Sequence, residues 1–392
     1  MDGYGPDAPT NCARVVGPTF SFQTGQNFNR RVTVLMMIRS LASVVVCGIL
    51  MLFSGGAVAL SQRSPEAPKV TVESDGTVKI PAESVPLSSF LSPEAKAYVT
   101  QHLHDMQDPE IVKQDNGVPR FMKGMLARDK EIFAVDQQDT KVGGVHAYVY
   151  SPKSGISEVN RDRVLINLHG GGFSGCWPGC AELESIPISA LMQIKVVSVD
   201  YREGPDHKFP AASEDVAAVY RELLKTYSPR SIGIYGCSAG GMLTAMSVAW
   251  FQKQRLPSPG AIGIYCASAG SFGGDATYIA FPFGEARVPV SRPPGASQLG
   301  YFSTADTKDP MVSPINSPEI LAKFPPTLLI TGTRDFAMSG TLYTNTQLSK
   351  LGVTTELHVW DGLFHGFFYN AEVPESRDAF RVMIKFFDRY LR

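Results

Sequence analysis

The 392-residue chain carries 36 basic and 37 acidic side chains, a formal net charge of -1 and 44% hydrophobic residues, enough for a large core and without the basic bias of a nucleic-acid binder. Its six cysteines are neither paired at metal-ligand spacing nor dense enough to staple a small fold, which excludes a zinc module and a disulfide scaffold.

The N-terminus reads as an address. Residues 1–36, rich in Gly, Asn and Pro with little periodicity, are a disordered leader or an upstream miscalled start. The uncharged run from Leu41 to Leu60 follows Arg30, Arg31 and Arg39 and precedes Gln62 and Arg63, the charge pattern of an export signal whose positive end stays behind. With translation starting at Met37, residues 37–60 divide into a basic end, an apolar run and the small residues Ala57-Val-Ala59, the three parts of a cleavable signal peptide. The alternative is an uncleaved anchor over residues 41–60, since the run is just long enough to span a bilayer. On both readings the remainder is exported, to a periplasm or the exterior.

A linker at 61–84 is rich in Pro, Ser and Glu, and within it Ser74-Asp-Gly76 between two β-prone stretches predicts a small hairpin. Ser92-Pro93-Glu94 supplies an N-cap, a first-turn proline and an acidic first turn, so a helix starts there. The apolar face of Phe121, Met125 and Leu126 predicts a second helix over Val118 to Phe133. Together these helices form a cap over residues 85–140.

From residue 141 to 392 strands alternate with helices, the pattern of an α/β fold whose mostly parallel sheet is covered by helices on both faces. The predicted strands are Val145 to Tyr150, Val164 to Leu168, Val196 to Val199, Ile232 to Tyr235, Ile262 to Cys266, Thr327 to Thr331 and Thr355 to Val359. Residues 272–314, rich in Gly, Pro, Phe and Ser, are too long for an ordinary connection and read as a lid insertion or a mobile loop.

Three loops at strand ends carry chemistry. Gly236-Cys-Ser-Ala-Gly240 joins a buried strand to an amphipathic helix, and its flanking glycines permit the tight turn that would expose Ser238 as a nucleophile. His169-Gly-Gly-Gly-Phe173 follows another strand, where the N–H groups of Gly170 and Gly171, with that of Ala239, could form an oxyanion hole. A serine needs a base held by a carboxylate, and Asp335 and His365 follow the last two strands in the chain order Ser, Asp, His. Asp361 is nearer to His365 in sequence but reads as a turn former with Gly362.

On these motifs the chain resembles the hormone-sensitive-lipase-like branch of the α/β-hydrolases, the bacterial carboxylesterases. The resemblance runs over about residues 85–392 and includes His169-Gly-Gly-Gly, Asp200-Tyr-Arg202 with Phe209-Pro-Ala-Ala212, Gly236-Cys-Ser-Ala-Gly-Gly241, Asp309-Pro310 and His365-Gly-Phe367. It implies the α/β-hydrolase fold, an N-terminal helical cap, a Ser238, Asp335 and His365 triad, and neither cofactor nor metal. Cys237 stands where that branch commonly has Asp or Thr, and Met242 where Asn is common, which makes the wall near the serine less polar.

Phe173, Trp177 and Cys237 are candidate pocket residues, and Phe272 and Phe281 are further candidates for an apolar lining. Cys176 and Cys180 are expected to form a disulfide in an oxidising compartment. The expected substrate is an acyl ester or lactone with a short to medium acyl chain, handled through an acyl-enzyme. The competing readings are a non-catalytic small-molecule binder on the same fold, and a peptidase or acyltransferase using the same triad. No nucleic-acid partner is expected, membrane contact only through the N-terminal run, and self-association is left open.

Overall fold

The computed structural model describes residues 70–82, 84–270, 272–287 and 300–392. The expected leader, the export signal and the first part of the linker lie outside the described residues. The chain divides into two compact units, residues 1–79 and 80–392. In the first, β1 (Thr71–Val72) pairs antiparallel with β2 (Val78–Lys79), closed by Glu73 N–H donating to the Thr77 carbonyl at 2.8 Å.

The second unit begins with α1 (Pro93–Asp105), whose N-cap Ser92 accepts the Ala95 N–H at 3.0 Å. Strands β3 (Gln114–Asp115) and β4 (Val118–Pro119) form a small ribbon before α2 (Lys123–Ile132). The second helix therefore starts later than the apolar spacing suggests. Pro119 crowds Val118 out of helical conformations, so the chain stays extended there.

The main sheet has eight strands: β5 (Val135–Val142), β6 (Val145–Pro152), β7 (Val164–Leu168), β8 (Lys195–Val199), β9 (Ile232–Cys237), β10 (Ala261–Tyr265), β11 (Thr327–Arg334) and β12 (Thr355–Phe364). Their spatial order is β12-β11-β10-β9-β7-β8-β6-β5. The six from β7 to β12 run parallel, and β5 and β6 close one edge antiparallel. Strand β5 is absent from the sequence reading, and the cap boundary drawn at residue 140 falls inside it. Its sequence Val-Asp-Gln-Gln-Asp-Thr-Lys-Val is exposed on a sheet edge, so no apolar alternation announces it.

The crossover helices are α3 (Gly179–Met192), α4 (Ala211–Leu223) and α5 (Ala239–Lys253); α6 (Asp275–Glu285), α7 (Pro318–Leu321), α8 (Met338–Lys350) and α9 (Pro374–Tyr390) follow. One core layer packs Val216, Tyr220, Leu243 and Phe251 against Ile166, Ile234 and Ile262. The opposite layer packs Leu183, Ile186, Phe380 and Phe387 against Leu165, Tyr235 and Leu328. Each such side chain, taken from water, contributes about 1.5–3 kcal/mol, so the strands that carry the site are held from both faces.

The expected lid over residues 272–314 is corrected in its second half. Tyr301 and Phe302 are fully buried against Phe173, the Tyr301 hydroxyl accepts the Ala212 N–H at 2.8 Å, and Val312 is buried, so residues 300–314 are anchored in the core at both ends. Of the described part of that segment, α6 stands near the strand ends. It is tied to α1, where the buried His102 ring bonds the Gly284 carbonyl at 2.9 Å and stacks on Phe364.

Candidate active site

The carboxyl ends of β7, β9, β11 and β12 present the loops that carry the candidate residues. Ser238 follows β9 with φ +57°, a strained conformation for a residue bearing a Cβ, and is held by its N–H donating to the Tyr265 carbonyl at 2.9 Å. The turn stores its strain on the serine, and the flanking glycines do a different task from the one expected. A Cβ on Gly236 would sit 2.2 Å from the Leu168 carbonyl oxygen, and one on Gly240 would sit 1.7 Å from it. They are glycine because the elbow lies directly on β7. Ser238 is also the N-cap of the 15-residue α5, so the positive end of that helix faces its surroundings.

Asp335 and His365 are brought together: His365 Nδ1–H donates to Asp335 Oδ1 at 2.7 Å. Asp335 is fully buried and also accepts the Thr331 hydroxyl at 2.7 Å and the Ala337 N–H at 2.8 Å. Burial pushes its carboxyl up, but the His365 charge and these hydrogen bonds outweigh that and hold it below the usual carboxylate range. For His365, burial works against the imidazolium, yet the Asp335 carboxylate, with smaller help from Glu285 and Glu184, raises it above the ordinary imidazole value. His102, nearby on α1, is driven by burial down to about 4 and stays neutral at pH 7.

Register explains why Asp335 faces the histidine and Asp361 does not. Gly332 is level with Trp360 and Arg334 with Phe364, so β12 carries extra residues in a bulge that includes Asp361 and Gly362. Asp361 is exposed and accepts hydrogen bonds from Ser88 and, at 3.2 Å, from the Thr333 hydroxyl. Among the described residues Ser238 Oγ makes no hydrogen bond, and it is not engaged by another side chain.

The oxyanion loop requires a correction. The Gly170 N–H is already used, donating to Glu184 Oε1 at 2.9 Å, and cannot also serve an oxyanion. Gly171 and Gly172, with φ of +120° and +66°, turn the chain outward, and among the described residues their N–H groups and that of Ala239 are left free. A Cβ on Gly171 would meet the Gly175 carbonyl oxygen at 1.9 Å, so this loop too is sterically glycine. Gly171, Gly172 and Ala239 are thus the available donors. The Cys176–Cys180 disulfide closes the loop's far side, and Gln114 of the cap accepts the Cys176 N–H at 3.1 Å. From the Asp200-Tyr-Arg motif, the Tyr201 hydroxyl donates to the His169 carbonyl at 2.7 Å and Arg202 Nε bonds Asp215 at 2.9 Å, which makes that motif a structural brace.

The candidate pocket residues are redistributed. Phe173 is fully buried against Tyr201, Tyr301 and Phe302, because its φ of +56° turns it back into the core. Cys237 is fully buried with its thiol toward Cys266 and Tyr369, beneath the serine. Trp177 packs on His146, Tyr148 and His169, behind the oxyanion loop. The aromatic wall beside the base is instead Phe336, stacked on His365 at 4.1 Å and flanked by Phe272 and Phe281 at 5.8 Å each. Cys266, Asp335 and His365 place three possible metal donors within 4.8 Å of one another, but Asp335 and His365 are engaged with each other and burial keeps the Cys266 thiol well above its ordinary range.

Comparison with known proteins agrees with this fold. The model of an α/β-hydrolase-fold family matches residues 165–369, more than half of the chain. An acetyl-hydrolase of Streptomyces hygroscopicus is 26% identical over 229 residues, 56% of this chain and 73% of that protein. A versiconal hemiacetal acetate esterase of Dothistroma septosporum is 25% identical over 301 residues, 74% of this chain and 90% of that protein. Among solved structures, the esterase E25 superimposes with a TM-score of 0.68 at 29% identity, covering 80% of this chain and 99% of that one. An esterase of the bacterial hormone-sensitive lipase family, at 22% identity and TM-score 0.65 over 77% of this chain and 99% of that one, shares the fold. The chain belongs to the α/β-hydrolase-fold family.

Proposed function

We propose that this α/β-hydrolase is a serine carboxylesterase in which Ser238 is the nucleophile, His365 its general base and Asp335 the carboxylate that holds the base. The observation that carries the reading is the 2.7 Å His365–Asp335 hydrogen bond, set at the same sheet end as a serine on a positive-φ elbow. In the proposed reaction His365 Nε2 takes the Ser238 proton as Oγ attacks the ester carbonyl. The oxyanion forms against the N–H groups of Gly171, Gly172 and Ala239, which are in place before reaction and cost no reorganisation. The His365 proton then leaves with the alcohol, and water releases the acyl group by the same steps in reverse. The esterase and acetyl-hydrolase relatives support this reaction class.

Short to medium acyl chains are the proposed substrates. The support is the aromatic wall of Phe272, Phe281 and Phe336 and the tie of α6 to α1, which bound the space beside His365. Steady-state hydrolysis of p-nitrophenyl esters from acetate to palmitate tests it. Butyrate-like esters are expected to give the highest kcat/KM, and Ser238→Ala is expected to abolish turnover. A preference for long-chain emulsions would contradict the acyl range, and turnover surviving in Ser238→Ala would contradict the mechanism.

The protein is also proposed to work after export. The Cys176–Cys180 disulfide is the supporting observation, since such bonds persist in oxidising compartments. Cell fractionation checks this, with the chain expected outside the cytoplasm and cytoplasmic retention contradicting it.

A further inference from the structure

One buried carboxylate takes no part in the relay just described. Glu184 lies on α3 and is 2% exposed, in a helix that is buried along nearly its whole length. Its Oε1 accepts the Gly170 N–H at 2.9 Å and the Tyr369 hydroxyl at 2.8 Å. Its Oε2 accepts the Asn167 side-chain amide at 2.8 Å and the Cys237 N–H at 3.3 Å. The Tyr235 hydroxyl donates to the Glu184 carbonyl at 2.9 Å, which fixes this turn of α3 on the sheet. All four side-chain partners are neutral donors, and no cation pairs with this carboxylate among the described residues. The adjacent Glu182, in contrast, meets Lys130 at 2.9 Å.

The positions of those donors matter more than their number. Gly170 precedes the free N–H groups of the oxyanion loop, Cys237 precedes Ser238, and Tyr369 lies in the loop that carries His365. From these contacts we propose that Glu184, acting as a carboxylate, is a positioning residue that locks the oxyanion loop, the nucleophile elbow and the base loop into one frame. Fixing the Gly170 N–H sets the direction in which the next two N–H groups point. Fixing the Cys237 N–H sets the peptide that leads to Ser238 and Ala239. Glu184 touches no reacting atom, and the inference rests on the esterase reading above.

Glutamine is the sharpest substitution, because it keeps the shape and one acceptor oxygen but faces the remaining donors with an NH2. Asn167 can turn its amide to suit, whereas a backbone N–H cannot, so either Gly170 or Cys237 loses its acceptor. Displacements of about 1 Å at reacting groups cost up to roughly a hundredfold in rate. Glu184→Gln is therefore expected to lower kcat on p-nitrophenyl butyrate by about 10- to 100-fold, with KM within about threefold. The inhibition constant of a trifluoromethyl ketone, whose hemiketal oxyanion sits in the same hole, is expected to rise by a similar factor.

Tyr369→Phe removes one donor and is expected to move both readouts in the same direction by about three- to tenfold; it decides the matter alone should the glutamine variant fail to fold. Wild-type kcat and ketone affinity in these variants would overturn the inference, and so would a fall in kcat that leaves ketone affinity unchanged. Those outcomes leave the esterase reading standing, because it is tested separately by wild-type turnover and its loss in Ser238→Ala. A wild-type chain with no turnover would end both.

Discussion

Asp335 and Glu184 are both buried carboxylates beneath the same set of loops, and they end on opposite sides of their ordinary range. Burial is the largest influence on each. At Asp335 it is overcome by a partner that can carry positive charge, His365, and by two further hydrogen bonds. At Glu184 the Asn167, Gly170, Tyr369 and Cys237 hydrogen bonds do not offset it, and its pKa is pushed up to about 7. The comparison shows that four neutral donors hold a buried carboxylate in place without returning it to its ordinary range, while a partner that can carry positive charge brings it below that range. On the proposed reading, one region of the site serves proton traffic and the other position.

Removing the charge at Asp335 should break the first region most severely. Asp335→Asn is expected to lower kcat by roughly a thousandfold or more with the fold intact, because the neutral amide no longer stabilises the imidazolium or fixes its tautomer. Steady-state rates on proteins with matched thermal melts check this. The second effect is on pH dependence. His365 must be neutral to act as base, and its pKa lies above the ordinary 6.5, so wild-type kcat/KM should fall as pH drops through a value above 6.5. Since the Asp335 charge and hydrogen bond raise that pKa, Asp335→Asn should move the acid limb to lower pH, and an unmoved limb would contradict the pairing. The smallest effect is expected at Asp361, held by Ser88 and Thr333 away from the imidazole: Asp361→Asn should cost about tenfold at most. A reversal of the Asp335 and Asp361 effects would reassign the acid.

How much of this could be read beforehand follows from what each residue faces. Most parallel strands were legible because they are buried, largely apolar runs, and β5 was not, because an exposed edge strand of Gln, Asp, Thr and Lys has no core face to mark it. The pairing of Asp335 with His365 was legible from their places at neighbouring strand ends, and the structure joins them at 2.7 Å. The oxyanion donors were misjudged by one residue, because Gly170, Gly171 and Gly172 look equivalent until Glu184 is seen to take the first N–H. Glu184 sits with Glu182 and Ser185 in the helix run Cys-Ala-Glu-Leu-Glu-Ser-Ile, and nothing local tells it from Glu182, which reaches Lys130. Phe173 adjoins the glycine loop and was expected to face substrate, yet the side-chain direction depends on a positive φ that sequence does not display. Phe336 was overlooked although it follows Asp335, since its role arises from stacking on a histidine 29 positions later.

The central claim, that Ser238 is made nucleophilic by the His365–Asp335 pair, is tested most directly by reacting the intact chain with a p-nitrophenyl phosphonate ester and mapping the adduct by mass spectrometry. A single equivalent of nitrophenolate is expected per chain, with the phosphonate on Ser238, no adduct in Ser238→Ala, and labelling slowed by roughly a thousandfold in Asp335→Asn. An adduct on any other residue, or labelling of Ser238 at an unchanged rate without the Asp335 carboxylate, would contradict the account.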